Sequence, residues 1–190
     1  MEAQIRELCQ AGDYKGAVTL GIKTYGGELY SYLAAIARSD GDASDAYGRL
    51  CLGLWEGLPG FRWECTFRTW AYVLARNAFR SVGKTSARFV PLSHAPEIAE
   101  VAEAVRSRTA EHLRTEVKDQ IAKIRESLSP EDRTLLILRV DRKLGWREIA
   151  RVMAEEADAD TDDASLDRRS AALRKRFERV KAQIKELAGR

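Results

Sequence analysis

Apolar residues recur three and four positions apart along nearly the whole chain, and runs that alternate apolar with polar residues are missing. The pattern predicts helices and no sheet. The first expected helices cover 2–11, 13–24 and 27–38, separated by Gly12-Asp13 and Gly26-Gly27. A fourth covers 43–57, with Ala46, Leu50, Leu54 and Gly57 on one stripe and Leu58-Pro59-Gly60 as its stop. Thr66 is placed to cap a fifth helix that runs to about Val82 and ends at Gly83. Then the pattern lapses. KTSARFVPLSHAP, residues 84–96, holds two of the four prolines and has no periodicity, so it reads as a connector. Helices resume over 97–127, whose front half reads equally as connector, and over 130–141, 146–157 and 167–188. The expected fold class is all-α, with two helical domains, 1–83 and 113–190, joined by a linker over 84–112.

Within the second domain, Ser129-Pro130-Glu131-Asp132 is a helix start: a capping hydroxyl, proline at the first helical position, then two acids at the positive end of the dipole. That helix carries Leu135, Leu136, Leu138 and Val140 as its apolar set. A short amphipathic helix from Trp146 turns Ile149, Ala150 and Met153 inward. The last helix has Leu173, Phe177, Val180, Ile184 and Leu187 on one stripe; Arg168, Ala171, Lys175 and Ala182 lie opposite, flanked by Arg174 and Arg179. A short helix, a connection and a basic helix with small residues facing out form a helix-turn-helix arrangement. The alanines allow close approach to base edges while the cations reach phosphate or guanine. Over 164–190 nine Lys or Arg face three Asp or Glu, a local net of +6. A solvated basic face on a packed helix is the alternative reading.

Composition narrows the class. With 190 residues there is room for one large or two small domains, and a net charge of +3 is mild. Cys9, Cys51 and Cys65 are widely spaced with no CxxC pair, which argues against a disulfide framework and a zinc site and fits a reducing cytoplasm. MEAQIRELCQ lacks the basic-then-apolar order of a signal peptide, and no stretch approaches the roughly 18 apolar residues of a membrane span. The expectation is a cytoplasmic protein. Enzyme signatures fail: Gly83-Lys84-Thr85 resembles the end of a P-loop, but Ala78 stands where its first glycine belongs, and His94 and His112 are isolated. The acidic run EEADADTDD, 155–163, resembles a calcium loop but has no glycine at the sixth position, and Arg169 stands at the twelfth. No metal and no cofactor are expected.

One stretch, GFRWECTFRTWAYVLARNAFRS at 60–81, holds six aromatic residues and four arginines. A core takes the rings but not the arginines; a surface that binds nucleic acid takes both. Together with Asp42-Ala43-Ser44-Asp45 and Leu50-Cys51-Leu52-Gly53-Leu54-Trp55, its strings Gly60-Phe61-Arg62, Thr66-Phe67-Arg68-Thr69-Trp70-Ala71-Tyr72 and Ala75-Arg76-Asn77 resemble region 2 of the extracytoplasmic-function (ECF) sigma factors. Leu128-Ser129-Pro130-Glu131, Leu136-Ile137-Leu138-Arg139, Trp146-Arg147-Glu148-Ile149-Ala150 and Leu173-Arg174-Lys175-Arg176-Phe177 resemble region 4. The resemblance covers most of the chain, apart from the first 25 residues and the linker.

This resemblance implies a non-enzymatic subunit that docks on core RNA polymerase, reads a −35 element as duplex through region 4, and melts and reads a −10 element through region 2. An anti-sigma factor is a candidate further partner, and no membrane is implied. The family's base-capturing loop falls on Phe61, Arg62, Trp63, Glu64 and Cys65. On the helix from Thr66, Phe67, Trp70, Ala71, Leu74 and Ala78 share a stripe assigned to the core; Thr69, Tyr72, Arg76 and Arg80 lie on the other side as −10 contacts. For Trp63 and Tyr72 a core role stands beside the contact role. The −35 contacts expected are Arg168, Ala171, Arg174, Lys175 and Arg179. Asp45, Arg49, Leu52 and Trp55 fall where the family grips the polymerase clamp helices, with a structural role equally open for Leu52 and Trp55. The chain departs from the family in having Tyr47-Gly48-Arg49 where a glutamine and an acid are usual, and Trp63 where a small residue is common. About nine residues also stand in the helix-turn-helix connection, where three to four are normal. The rival reading is a stand-alone helix-turn-helix regulator that binds duplex DNA.

Overall fold

The structure, a computed structural model, describes residues 1–82, 95–115, 127–154 and 162–188. Among these residues there is no strand. The chain divides into two compact units, Met1–Thr115 and Glu116–Arg190.

In the front unit, α1 (Glu2–Gln10) turns at Gly12, φ +77°, into Asp13, whose carboxylate accepts from the Gly16 N–H at 2.8 Å and caps α2 (Tyr14–Ile36). Helix α2 is the axle of the unit: α1, α3, α4 and α5 all pack on it. Its sequence explains why, since Ala17, Val18, Ile22, Leu29, Tyr30, Tyr32 and Leu33 together bury most of its circumference. Ser39 caps α3 (Asp40–Gly57) by accepting from the Asp42 N–H, and Asp40 and Asp42 favour its positive end. A 3₁₀ turn, Leu58–Gly60, and the loop 61–66 lead to α4 (Phe67–Ser81), and α5 (Pro96–Thr115) completes the unit.

Two sequence expectations fail here, for one shared reason. Gly26-Gly27 does not break a helix; α2 runs straight through it. The missing side chains instead form a seat. A Cβ at Gly26 would lie 2.6 Å from the Tyr47 hydroxyl and 3.1 Å from Val105, and one at Gly27 would lie 3.3 Å from the Thr109 hydroxyl. Val105 and Thr109 belong to α5, which the connector was expected to include. Ile98, Ala102 and Val105 are buried against α2, and Lys15 of α2 pairs with Glu97, so α5 is part of the front unit. Gly21 works in the same way under Phe67, whose ring would meet a Cβ at 2.4 Å.

Buried aromatics lock the helices edge to face: Tyr30 on Tyr47 at 5.4 Å and Tyr32 on Tyr72 at 5.3 Å. Cys51 lies among them, fully enclosed, and burial pushes its thiol up to about 12, so it stays protonated. None of the three cysteines is in a disulfide.

In the rear unit Ser129 accepts from the Asp132 N–H and caps α6 (Pro130–Leu136), with Pro130 at its first position. The expected helix 130–141 changes pitch after Leu136 into a π-type turn, Ile137–Asp141. That wider turn carries Val140 outward, so it is half exposed at 49 % rather than part of the apolar set. Lys143, at φ +56°, closes the turn. Helix α7 (Trp146–Val152) starts where Glu148 reaches back to the Gly145 N–H at 2.6 Å. Asp162 accepts from the Ser165 N–H and opens α8 (Asp163–Ala188), which packs on α6 and α7. Leu135, Leu138, Leu144, Ile149, Leu166 and Val180 form the core of this unit. The expected stop at Gly83, most of the connector and residues 155–161 of the acidic run lie outside the described residues.

Candidate nucleic-acid interface

Helix α4 begins at a dense polar node. Thr66 caps it, its hydroxyl accepting from the Thr69 N–H at 3.0 Å. The first two amides, Phe67 and Arg68, donate to the two carboxylate oxygens of Glu2 at 2.9 and 3.0 Å. Arg68 forms a bidentate pair with Glu28, at 2.6 and 3.0 Å, and its guanidinium lies over the Tyr72 ring. Tyr25 donates to Glu2, and burial followed by the Glu2 charge pushes its phenol up to about 12. The loop 61–66 therefore runs into a helix start whose first three amides are all paired.

The loop itself carries a ladder of rings. Phe61 stacks on Trp70 at 4.6 Å with 16° between planes, and Trp63 tilts against Phe61 at 4.9 Å. All three are half-buried, so one side of the ladder meets solvent. Trp63 has φ +59°, a left-handed backbone that costs a bulky residue about 1–3 kcal/mol. Trp63 thus holds a backbone conformation that favours glycine, and its ring is carried by contacts. Arg6 of α1 supplies one, its guanidinium 5.5 Å from the Trp63 ring centre. Arg62, exposed, pairs with Glu64 at 3.1 Å.

Three of the four contacts expected on α4 are not on the surface. Thr69 and Tyr72 are fully buried and Arg76 is 5 % exposed; Arg80 alone is half-open. The stripe argument assumes one covered face, whereas α4 is covered by α3 and α2, with α1 at its start. Its buried arc, Phe67, Ala71, Ala75, Ala78, Tyr72, Arg76 and Thr69, spans about half the circumference at about 100° per residue. Trp70 and Leu74, assigned to the core, are half-open instead. The accessible side of α4 thus holds Trp70, Val73, Leu74, Asn77 and Arg80, of which the sequence reading gave Arg80 alone as a contact. Counting α4's neighbours, rather than its period, is what would have found Trp70 and Asn77.

On α3, Asp45, Arg49, Leu52 and Trp55 recur at spacings of four, three and three and share one stripe. Asp45 is exposed and the other three are half-buried; the Arg49 guanidinium also reaches Ser81 at the end of α4, at 3.5 Å.

The rear unit places all five of its expected contacts on the surface. Arg168, Ala171, Arg174, Lys175 and Arg179 are exposed along α8, opposite the buried Phe177 and Val180. Other cations hold the frame. Arg147 bridges from α7 to Asp163 and Asp167 at 2.7 and 3.1 Å, and Lys181 pairs with Glu178 at 2.8 Å. Trp146 lies under Arg139 at 4.6 Å, edge-on to Phe177 at 5.5 Å, with Arg174 at 6.0 Å. Arg176 pairs with Asp132 at 2.6 Å and fastens α8 to α6.

Burial works against the Asp132 charge, but the Arg176 and Ser129 hydrogen bonds outweigh it and hold its carboxyl below the usual range. A depressed carboxylate stabilises the fold above its unfolded pKa and loses that contribution as pH falls through the folded one. Asp132→Asn is therefore expected to destabilise the chain by about 1 kcal/mol at neutral pH, the half-open arginine screening the pair, and by less at acid pH, as the carboxyl takes up its proton. Thermal unfolding of both proteins at the two pH values checks this.

Residues 22–87 match the family model for sigma-70 region 2. Over that stretch, about a third of its length, the chain is similar to sigma-70 region 2. The match begins within α2 and takes in α3, the ring-bearing loop and α4, which are the elements that build the front surface. No curated protein and no solved structure matches the chain. Sigma-70 factors are non-catalytic initiation factors, and region 2 serves contact with core RNA polymerase and promoter DNA. Among the described residues no helix is long and apolar enough to cross a membrane, and no group of His, Cys, Asp and Glu is placed to hold a metal ion.

Proposed function

We propose that the chain is an ECF-type sigma factor that directs core RNA polymerase to promoters with −35 and −10 elements and helps to open the −10 element. The observation that carries this reading is the half-open Trp63–Phe61–Trp70 ladder in front of α4, inside the matched sigma-70 region 2. A base leaving the stack needs a flat partner, and each such stacking contact contributes roughly 1–3 kcal/mol. Phe61, Arg62, Trp63 and Arg80 are the proposed −10 contacts, with Trp70 and Asn77 added. Arg168, Ala171, Arg174, Lys175 and Arg179 on α8 are proposed to meet the −35 duplex, α7 and α8 acting as the helix-turn-helix. The accessible stripe Asp45, Arg49, Leu52 and Trp55 is the proposed polymerase contact. An anti-sigma factor is the proposed regulator, and the cytoplasm the proposed location. A pull-down of core polymerase with the purified chain, followed by run-off transcription on a promoter library, tests the reading. Promoter-specific transcripts are expected only when the chain and core are both present. Tight operator-like binding to duplex DNA without polymerase, and no transcripts with it, would favour a stand-alone regulator instead.

A further inference from the structure

Helix α1 lies outside the residues that match region 2, yet its Arg6 touches the loop that carries the rings and its Glu2 the first amides of α4, where that loop ends. We infer that Glu2 and Arg6 are positioning residues that hold the loop 61–66 in its strand-receiving shape. The inference rests on the function proposed above for that loop.

Ile5 is fully buried and pins α1 to the unit. Glu2 and Arg6 stand one helical turn apart, on one side of α1. Glu2 fixes the exit of the loop, since its carboxylate takes the two leading amides of α4 and Tyr25 holds that carboxylate from behind at 3.0 Å. Thr66 takes the third amide, so the cap contributed from 65 residues away completes a local one. Arg6 fixes the middle of the loop by lying over the Trp63 ring. That ring belongs to the residue whose backbone is least able to keep its own conformation, at φ +59°. Left to itself a tryptophan there relaxes toward negative φ, which swings its ring off Phe61 and opens the ladder. The same helix thus grips the strained residue and the helix end that follows it. Neither side chain needs to touch DNA for this, and the base stacks on a surface already formed.

The test uses the full chain with core polymerase on a promoter it opens. Arg6→Ala and Glu2→Ala are each expected to lower permanganate reactivity of −10 thymines about fivefold, with polymerase binding unchanged. Glu2→Gln, which keeps one good acceptor, should lose less. Trp63→Gly removes the strain at the loop, so adding Arg6→Ala to it should cost nothing further. An equal loss from Arg6→Ala in both backgrounds would overturn the link through Trp63, and normal strand opening by both alanine variants would overturn the inference outright. Trypsin cleavage after the exposed Arg62 reads the loop without polymerase and should quicken about fivefold in both variants. Unchanged cleavage in variants of normal thermal stability sinks the brace. A wild-type chain that opens no promoter sinks the proposed function, while quickened cleavage would still support the brace as a structural device.

Discussion

Tyr72→Ala is expected to unfold more readily than the parent by about 4 kcal/mol, a large part of the roughly 5–15 kcal/mol that holds a domain together. The side chain is completely enclosed, edge-on to Tyr32 at 5.3 Å and under the Arg68 guanidinium at 5.6 Å. Truncation leaves a ring-sized void at the crossing of α2 and α4 and takes away the ring beneath Arg68. Urea unfolding followed by circular dichroism measures the loss, and Tyr72→Phe, which keeps the ring, should retain most of the stability. An alanine variant as stable as the parent, defective only in opening promoters, would return Tyr72 to the DNA surface.

Reversing one charge on α8 has the second large effect. Lys175→Glu should reduce −35-dependent run-off at least about tenfold, equivalent to about 1.4 kcal/mol, and flatten the salt dependence of promoter binding by about one contact. Lys175 is exposed on the side of α8 opposite Phe177 and Val180, so the fold and polymerase binding should be unaffected. Unchanged promoter output would remove this face from the proposed DNA surface.

How much of this was legible in advance depended on how local each interaction is. Thr66 and Ser129 could be read as caps because a cap joins a side chain to an amide three residues away. The exposed face of α8 was legible because that helix buries a single stripe, which is the case periodicity describes. Helix α4 was misread because two neighbours and a third at its start cover it, and no spacing within 67–81 records the neighbours. Gly26-Gly27 was misread because glycine's intrinsic cost in a helix is about 1 kcal/mol, less than close packing returns once α5 fits against it. Ile98, Ala102 and Val105 did carry the helical spacing of α5, but Pro91 and Pro96 nearby drew the boundary to the wrong side. The Glu2 cap had no sequence signal at all: its two amides are 65 and 66 residues away.

The seat at Gly26 also limits how this chain can diverge. Because the space is already taken by the Tyr47 hydroxyl and a Val105 methyl, a larger residue there is tolerated only alongside trimming on the facing helices. Change at these three positions must therefore be concerted, and among related chains they should be seen to vary together or stay fixed.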